Sequence, residues 1–511
     1  MNKRLMTLLT VASITLSVFA QIENLPMCEG KYKPTDESLK QYKCPEWFRD
    51  AKFGIWSVWG PMAVPRRGDW YAKAMYAGEV YDCSKKEFRQ ASAQYKYHKE
   101  HYGHPSEFGY KDLIPLWKAE KWNPEELMKL YKRAGAKYFC TIATHHDNFF
   151  LWNSKLHRWN SVNMGPKKDV VGIWKVAATK EGLYFGVTEH LGASYNWFQV
   201  AHGADQLGPK AGVPYDGANP EYWDYYHEPS KPGDGGWLTN DPKRQREWYD
   251  RIKELTDNYQ PDLLYSDCGL PFADVGRTLI AHYYNQNAKQ KKAKGVVYTC
   301  KEESNSRWVR DYELGVAEGI SEHPWQTDTN LGDWIYREGM TFRTAPQVIQ
   351  MLIDIVSKNG NLLLDVVQTP EGDIGEEQTN ILENIAEWMQ DNGEAIFGTR
   401  PWKVYGEGPS VTEQQEKGMF LGLKDMRSYK QGDLRFTMKG KTLYAFSMEK
   451  PEGDIHISSL GLKTATGQKI KSITLLGSKE KIKWSQNKDE VLIQRPAQLP
   501  AYKTVAFAIK L

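Results

Sequence analysis

The segment NPEELMKLYKRAGAKYFCTIATHHDN, residues 123–148, reads as one helix followed by one buried strand. Asn123 can cap the free amides of a first helical turn, and Pro124 fits the position where no amide is needed. The residues that follow are amphipathic, and Gly135 permits the backbone turn that closes the helix. The run after it is apolar without alternation, as a strand covered on both faces requires, and it stops at His145, His146 and Asp147.

The same unit recurs along the chain. FGIWSVWG (53–60), LYFGVTEH (183–190), DLLYSDCG (262–269), VVYTC (296–300) and NLLLDVV (361–367) are further apolar runs, most of them ending in polar groups, and amphipathic stretches such as residues 375–393 lie between them. Repeated βα units over roughly 350 residues predict an α/β fold of the (β/α)8-like barrel type, whose reactive side chains sit at the strand ends where the βα loops begin. No glycine-rich phosphate fingerprint follows the early strands, which speaks against a dinucleotide-binding sheet. Beyond residues 397–409 the pattern changes to short alternating strands, among them 434–448 and 504–511, and predicts a C-terminal antiparallel β-sandwich. The expected division is a signal peptide over 1–20, a barrel domain over 21–398 and a sandwich domain over 399–511. Insertions at about 78–111 and 192–242 interrupt the barrel pattern. The second is rich in Trp and Tyr and reads as a substrate-covering lid.

Lys3 and Arg4 precede an apolar run ending near Ala20, the layout of a cleavable export signal. That run is shorter than the ~20 residues a bilayer crossing needs, so a soluble, exported protein (periplasmic or secreted) is expected, with no membrane partner. Six scattered cysteines form no CxxC pair and read as mostly free and buried, with one disulfide open to an oxidising compartment. Lys plus Arg at 67 against Asp plus Glu at 64 leaves a net charge of +3, too balanced for a nucleic-acid partner. The 19 Trp, 29 Tyr and 17 Phe offer flat faces suited to stacking on sugars.

Hydrolysis of a glycosidic bond needs two carboxyl groups across the bond. Asp267, at the end of PDLLYSDC and ahead of Gly269, is the best nucleophile candidate. For the second group, residues 307–329 offer Asp311, Glu313, Glu318, Glu322 and Asp328; Glu313, between Tyr312 and Leu314, has the most apolar local setting. His145, His146 and Asp147 could be metal ligands, but adjacent residues at a strand end diverge and no spaced partner completes a set, so hydrogen bonding to hydroxyls is the preferred role. Glu189 and His190 supply similar groups.

Taken in order, residues 51–65, GDWYAKAMY (68–76), 134–154, GPKKDVVG (165–172), PDLLYSDCG and VSKNGNLLLDVVQTPEGDI (356–374) resemble the α-L-fucosidases of glycoside hydrolase family 29, over roughly residues 42–402. The resemblance implies exo-acting release of terminal α-L-fucose from an oligosaccharide or glycoconjugate by retaining double displacement, with no cofactor and no catalytic metal. It makes Asp267 the nucleophile and Glu313, in RWVRDYELG, the acid/base, with Glu318 as competitor. It gives His145, His146 and Trp70 to sugar binding; Trp59, Asp69, Glu189, His190, Arg307 and Trp325 complete the expected substrate-binding set. Two departures stand out: Val58 occupies a place where the family commonly has histidine, and Asp69 one where it has glutamate. They keep open a different terminal sugar, of the galactosidase type. A carbohydrate-binding protein without catalysis and a metal hydrolase built on His145 and His146 are the remaining alternatives.

Overall fold

The computed structural model describes residues 25–82, 85–291, 293–413, 418–422 and 428–511. The expected signal peptide and Cys83 lie outside them. The other five cysteines are free. Among the described residues no helix is long and apolar enough to cross a membrane.

Eight parallel strands close into a barrel: β1 (Phe53–Ser57), β2 (Tyr138–Thr144), β3 (Tyr184–Glu189), β4 (Leu263–Ser266), β5 (Val297–Cys300), β6 (Val309–Asp311), β7 (Trp325–Asn330) and β8 (Gly360–Asp365). They are ordered around the barrel as in the chain, and β8 pairs with β1. Nearly every strand residue is buried, which accounts for the unbroken apolar runs. Among the described residues six helices line the outside: Pro124–Arg133, Val170–Glu181, Pro242–Tyr259, Asp274–Ala288, Ala345–Ser357 and Gly375–Asn392. None separates β5 from β6 or β6 from β7, so Lys301 and Glu313 lie on irregular chain at the barrel rim. The first helix starts as the sequence predicts, with Asn123 Oδ1 accepting the amide of Glu126. It is followed by Gly135 at φ +102°, a conformation open to glycine.

After the barrel come a five-stranded antiparallel sheet (Arg400–Glu407, Leu434–Lys439, Thr442–Ser447, Val505–Lys510, Ser472–Leu475) and a three-stranded one (Ile455–Ile457, Val491–Ile493, Trp484–Gln486). Phe436, Leu443, Ile457, Ile493 and Phe507 from both sheets share one core, the expected sandwich. It is fastened to the barrel by buried polar groups: Arg435 Nε donates to Asp354 Oδ1 at 2.6 Å, and Trp388 Nε1 donates to the Thr504 carbonyl.

The two insertions pack on each other through buried carboxylates. Asp205 receives the hydroxyls of Tyr95 and Tyr215, and Asp216 those of Tyr76 and Tyr226. Most of the aromatic richness of residues 192–242 is therefore internal packing, and Trp237 is the residue of that segment that reaches the barrel mouth.

Candidate active site

The barrel register assembles the site. Thr144, Glu189, Ser266 and Cys300 are paired side by side at the ends of β2 to β5. The next residue on each strand is His145, His190, Asp267 and Lys301, so four polar groups far apart in sequence form one row along the carboxyl-end rim. Backbone bonds carry the row past the strands: His190 N donates to Thr144 O, Asp267 N to Glu189 O, and Lys301 N to Cys268 O. Trp56 from β1, Val58 just beyond its end, Asp69 and Trp70 from the following loop, His146, Glu313, Asp328, Trp334, Trp237 and Phe420 complete the lining of a cavity of about 190 Å³.

At its centre Lys301 Nζ lies 2.5 Å from Asp267 Oδ1 and also contacts Glu313 Oε2. Burial disfavours the charged form of Asp267, yet His190, Lys301 and His146 outweigh it and hold the carboxyl far below the usual carboxylate range. Burial pushes the two histidines down, to about 3 for His190 and about 4 for His146, so both are neutral at neutral pH. Lys301 is then the cation that keeps Asp267 ionised. Glu313 goes the other way: burial, and next competition with the neighbouring carboxyl of Asp328, push it up to about 7 against the pull of Lys301. One carboxylate held ionised beside one carboxyl whose pKa is raised to neutrality is the arrangement of a nucleophile and a proton donor.

The hydroxyl of Tyr265 reaches Asp267 Oδ1 (3.2 Å) and Asp328 Oδ2 (3.0 Å) from inside the barrel. Asp328 is itself pushed well above the usual range by burial and by neighbouring Asp311. His146 Nδ1 donates to the carbonyl of His190 at 2.7 Å, leaving Nε2 as an acceptor 3.5 Å from Asp267 Oδ2. Among the described residues, His145 Nδ1 and His190 Nε2 have no hydrogen-bond partner, and such buried nitrogens suit ligand hydroxyls. Asp69, pushed up to about 8 by burial, accepts the Trp70 amide and lies 3.5 Å from His145. Trp70 adopts φ +61°, an uncommon conformation for a bulky residue, and stacks on Trp237 with ring centroids 6.1 Å apart.

The donor atoms of His145, His146 and His190 lie within 4.8 Å of one another, a grouping that could take a metal ion. Zinc bonds of about 2.0–2.1 Å would need the rings drawn closer together.

Of the expected site residues, Asp267, Glu313, Asp69, Trp70, His145, His146 and His190 line the one cavity. Four do not, and each is corrected by its position on the barrel. Trp59 follows inward-facing Val58 and turns into the core between Trp117 and Trp122, donating to the Thr369 carbonyl. Glu189 precedes inward-facing His190, so it points away and accepts Leu191 N and Trp248 Nε1. Trp325 opens β7, at the strand end opposite the site, and donates to the Lys358 carbonyl. Arg307 precedes β6 and pairs with Asp36. Glu318 is exposed and does not line the cavity.

Sequence reasoning missed Lys301, Trp56, Trp334 and Phe420, and offered Asp328 only as one of five candidate carboxyl groups. Lys301 was within reach: it follows the apolar run VVYTC as Asp267 follows LLYS. Phe420 carried no signal, because it comes from the strand Gly418–Gly422, beyond the barrel.

Residues 19–394 match the family described as alpha-L-fucosidase, and residues 428–511 match the alpha-L-fucosidase C-terminal domain. The chain is 27% identical to the tissue alpha-L-fucosidase of Rattus norvegicus over 92% of its length and 89% of that protein's. It is 26% identical to the human tissue enzyme over 92% and 89%. The crystal structure of Thermotoga maritima alpha-fucosidase superposes with a TM-score of 0.71 at 26% identity, covering 94% of this chain and all of the other. The structure of that protein in complex with fucose gives 0.69 at 26% identity, covering 93% and 99%.

Proposed function

Since the chain belongs to the alpha-L-fucosidase family of glycoside hydrolases, we propose that it releases terminal α-L-fucose from glycans by retaining double displacement, with Asp267 as nucleophile and Glu313 as acid/base. The observation that carries this reading is Lys301 set between the two carboxyl groups. Retention works with carboxyl groups about 5–5.5 Å apart, and inversion with about 6.5–9.5 Å to admit a water between them. One ammonium touching both fits the short separation.

In the first step the Asp267 carboxylate bonds to the anomeric carbon as the bond to the leaving oxygen breaks, and Glu313 gives that oxygen its proton. Lys301 then faces a newly charged Glu313, which favours the transfer. In the second step Glu313 takes a proton from water, the water oxygen bonds to the anomeric carbon, and Asp267 leaves as carboxylate. His145, His146, His190 and Asp69 hold the sugar hydroxyls, and Trp70 and Trp56 face its ring. We place the protein outside the cytoplasm on the strength of residues 1–20.

A second reading, another terminal sugar on the same machinery, is favoured by Val58, whose side chain offers the cavity no hydrogen bond. Nitrophenyl α-L-fucoside set against galactosides and arabinosides separates the two. Asp267→Ala should fold normally and lose activity by about 10⁴-fold or more, and proton NMR should show the α-anomer released first. Near-normal activity in that variant, or initial release of the β-anomer, would overturn the mechanism.

A further inference from the structure

The cavity, with room for about six waters at liquid volume, accommodates one sugar ring and little more, so the leaving group must lie at its mouth. Three aromatic side chains there are open to solvent, Trp70 at 40%, Trp237 at 45% and Phe420 at 49%. Trp237 is braced by the stack on Trp70. Phe420 is tied to the proton donor itself: its amide donates to the Glu313 carbonyl at 2.7 Å, and the strand Gly418–Gly422 pairs with Gly315–Val316, which follows Glu313 closely. Its backbone takes φ +60°, a left-handed conformation costly for a bulky side chain, and the Lys301 ammonium lies 5.7 Å from its ring centroid.

A proton donor in glycoside cleavage stands next to the leaving oxygen. An aromatic ring fixed to the main chain of that donor, and open to the same cavity, therefore faces the leaving group and not the sugar being removed. We infer that Phe420, helped by Trp237, is the stacking platform for the sugar ring that leaves, and so a residue that sets which leaving groups the site prefers. The platform comes from chain beyond the barrel, which gives that part of the molecule a share in specificity. This inference rests on the reading of Asp267 and Glu313 given above.

The test compares methyl α-L-fucoside with fucosyl galactosides of each linkage, substrates with alcohol leaving groups of similar chemistry. The wild type should cleave at least one disaccharide with a kcat/KM about tenfold above the methyl glycoside, as expected for one aromatic stack. Phe420→Ala should bring that ratio to within about twofold, mainly through a higher KM for the disaccharide; Phe420→Trp should keep the preference. Phe420→Leu, which keeps apolar bulk without a flat face, should behave like the alanine variant and serves if that variant fails to fold. A wild-type ratio near one for every linkage overturns the inference, as does an equal loss on both substrates in the variants. A wild type that cleaves neither substrate instead overturns the fucosidase reading, and the platform with it.

Discussion

Lys301 Nζ lies 2.5 Å from Asp267 Oδ1, and the same ammonium touches Glu313. Lys301 is only 14% exposed, so the attraction is poorly screened, and its own pKa is driven up by Asp267 and Glu313 against the cost of burial. In the proposed mechanism it stabilises the ionised nucleophile and, later in the cycle, the ionised acid.

Removing that charge should move both limbs of the pH profile upward. In Lys301→Met, Asp267 loses the cation that keeps it ionised, so its pKa rises and the acidic limb of kcat/KM shifts to higher pH. Glu313 loses the charge that pulls its pKa down, so the basic limb shifts the same way. At neutral pH kcat/KM should fall roughly 10²-fold, with Lys301→Arg recovering part of it. Unchanged limbs in a folded variant would remove Lys301 from the mechanism.

Glu313 must be protonated in the free enzyme to act as acid, and its pKa is raised to about 7. The kcat/KM of the wild type should therefore fall as pH rises through about 7. Glu313→Gln should abolish that limb and cost roughly 10²–10⁴-fold on alkyl fucosides, but far less on substrates with activated leaving groups that need no proton. A basic limb that survives in the glutamine variant would assign it to another group, with Asp69, at about 8, the first to examine.

Val58 is almost fully buried in the cavity wall. If fucose is the bound sugar, Val58→His adds a hydroxyl partner and should raise fucoside kcat/KM by about five- to tenfold, the worth of one buried hydrogen bond. A fall on the fucoside, with an arabinoside or galactoside preferred by the wild type, would mean the valine wall is shaped for that other sugar.

Arg435 and Asp354, at 0% and 3% side-chain exposure, form a buried ion pair between the C-terminal sheet and the helix Ala345–Ser357. Arg435→Met should cost about 3 kcal/mol, the low end for a broken buried pair, because Lys358 still reaches Asp354 at 2.8 Å. Urea unfolding monitored by tryptophan fluorescence reads this directly. Loss below about 1 kcal/mol would show the pair to be replaceable.

The barrel was legible in the chain because a strand buried on both faces must be apolar throughout and a flanking helix amphipathic; residues 123–148 show both in 26 positions. The same logic located Asp267, His145 and His190, since a polar residue directly after such a run sits on the rim. It failed for Trp59, Glu189 and Trp325, because facing in or out, and lying at one strand end or the other, depends on pleat and register, which composition does not encode. That Glu313 lines the cavity and Glu318 does not, that Lys301 touches two carboxyl groups, and that Phe420 arrives from beyond the barrel were decided by the tertiary structure. Each depends on distances between segments far apart in the chain, and burial and charge act through those distances.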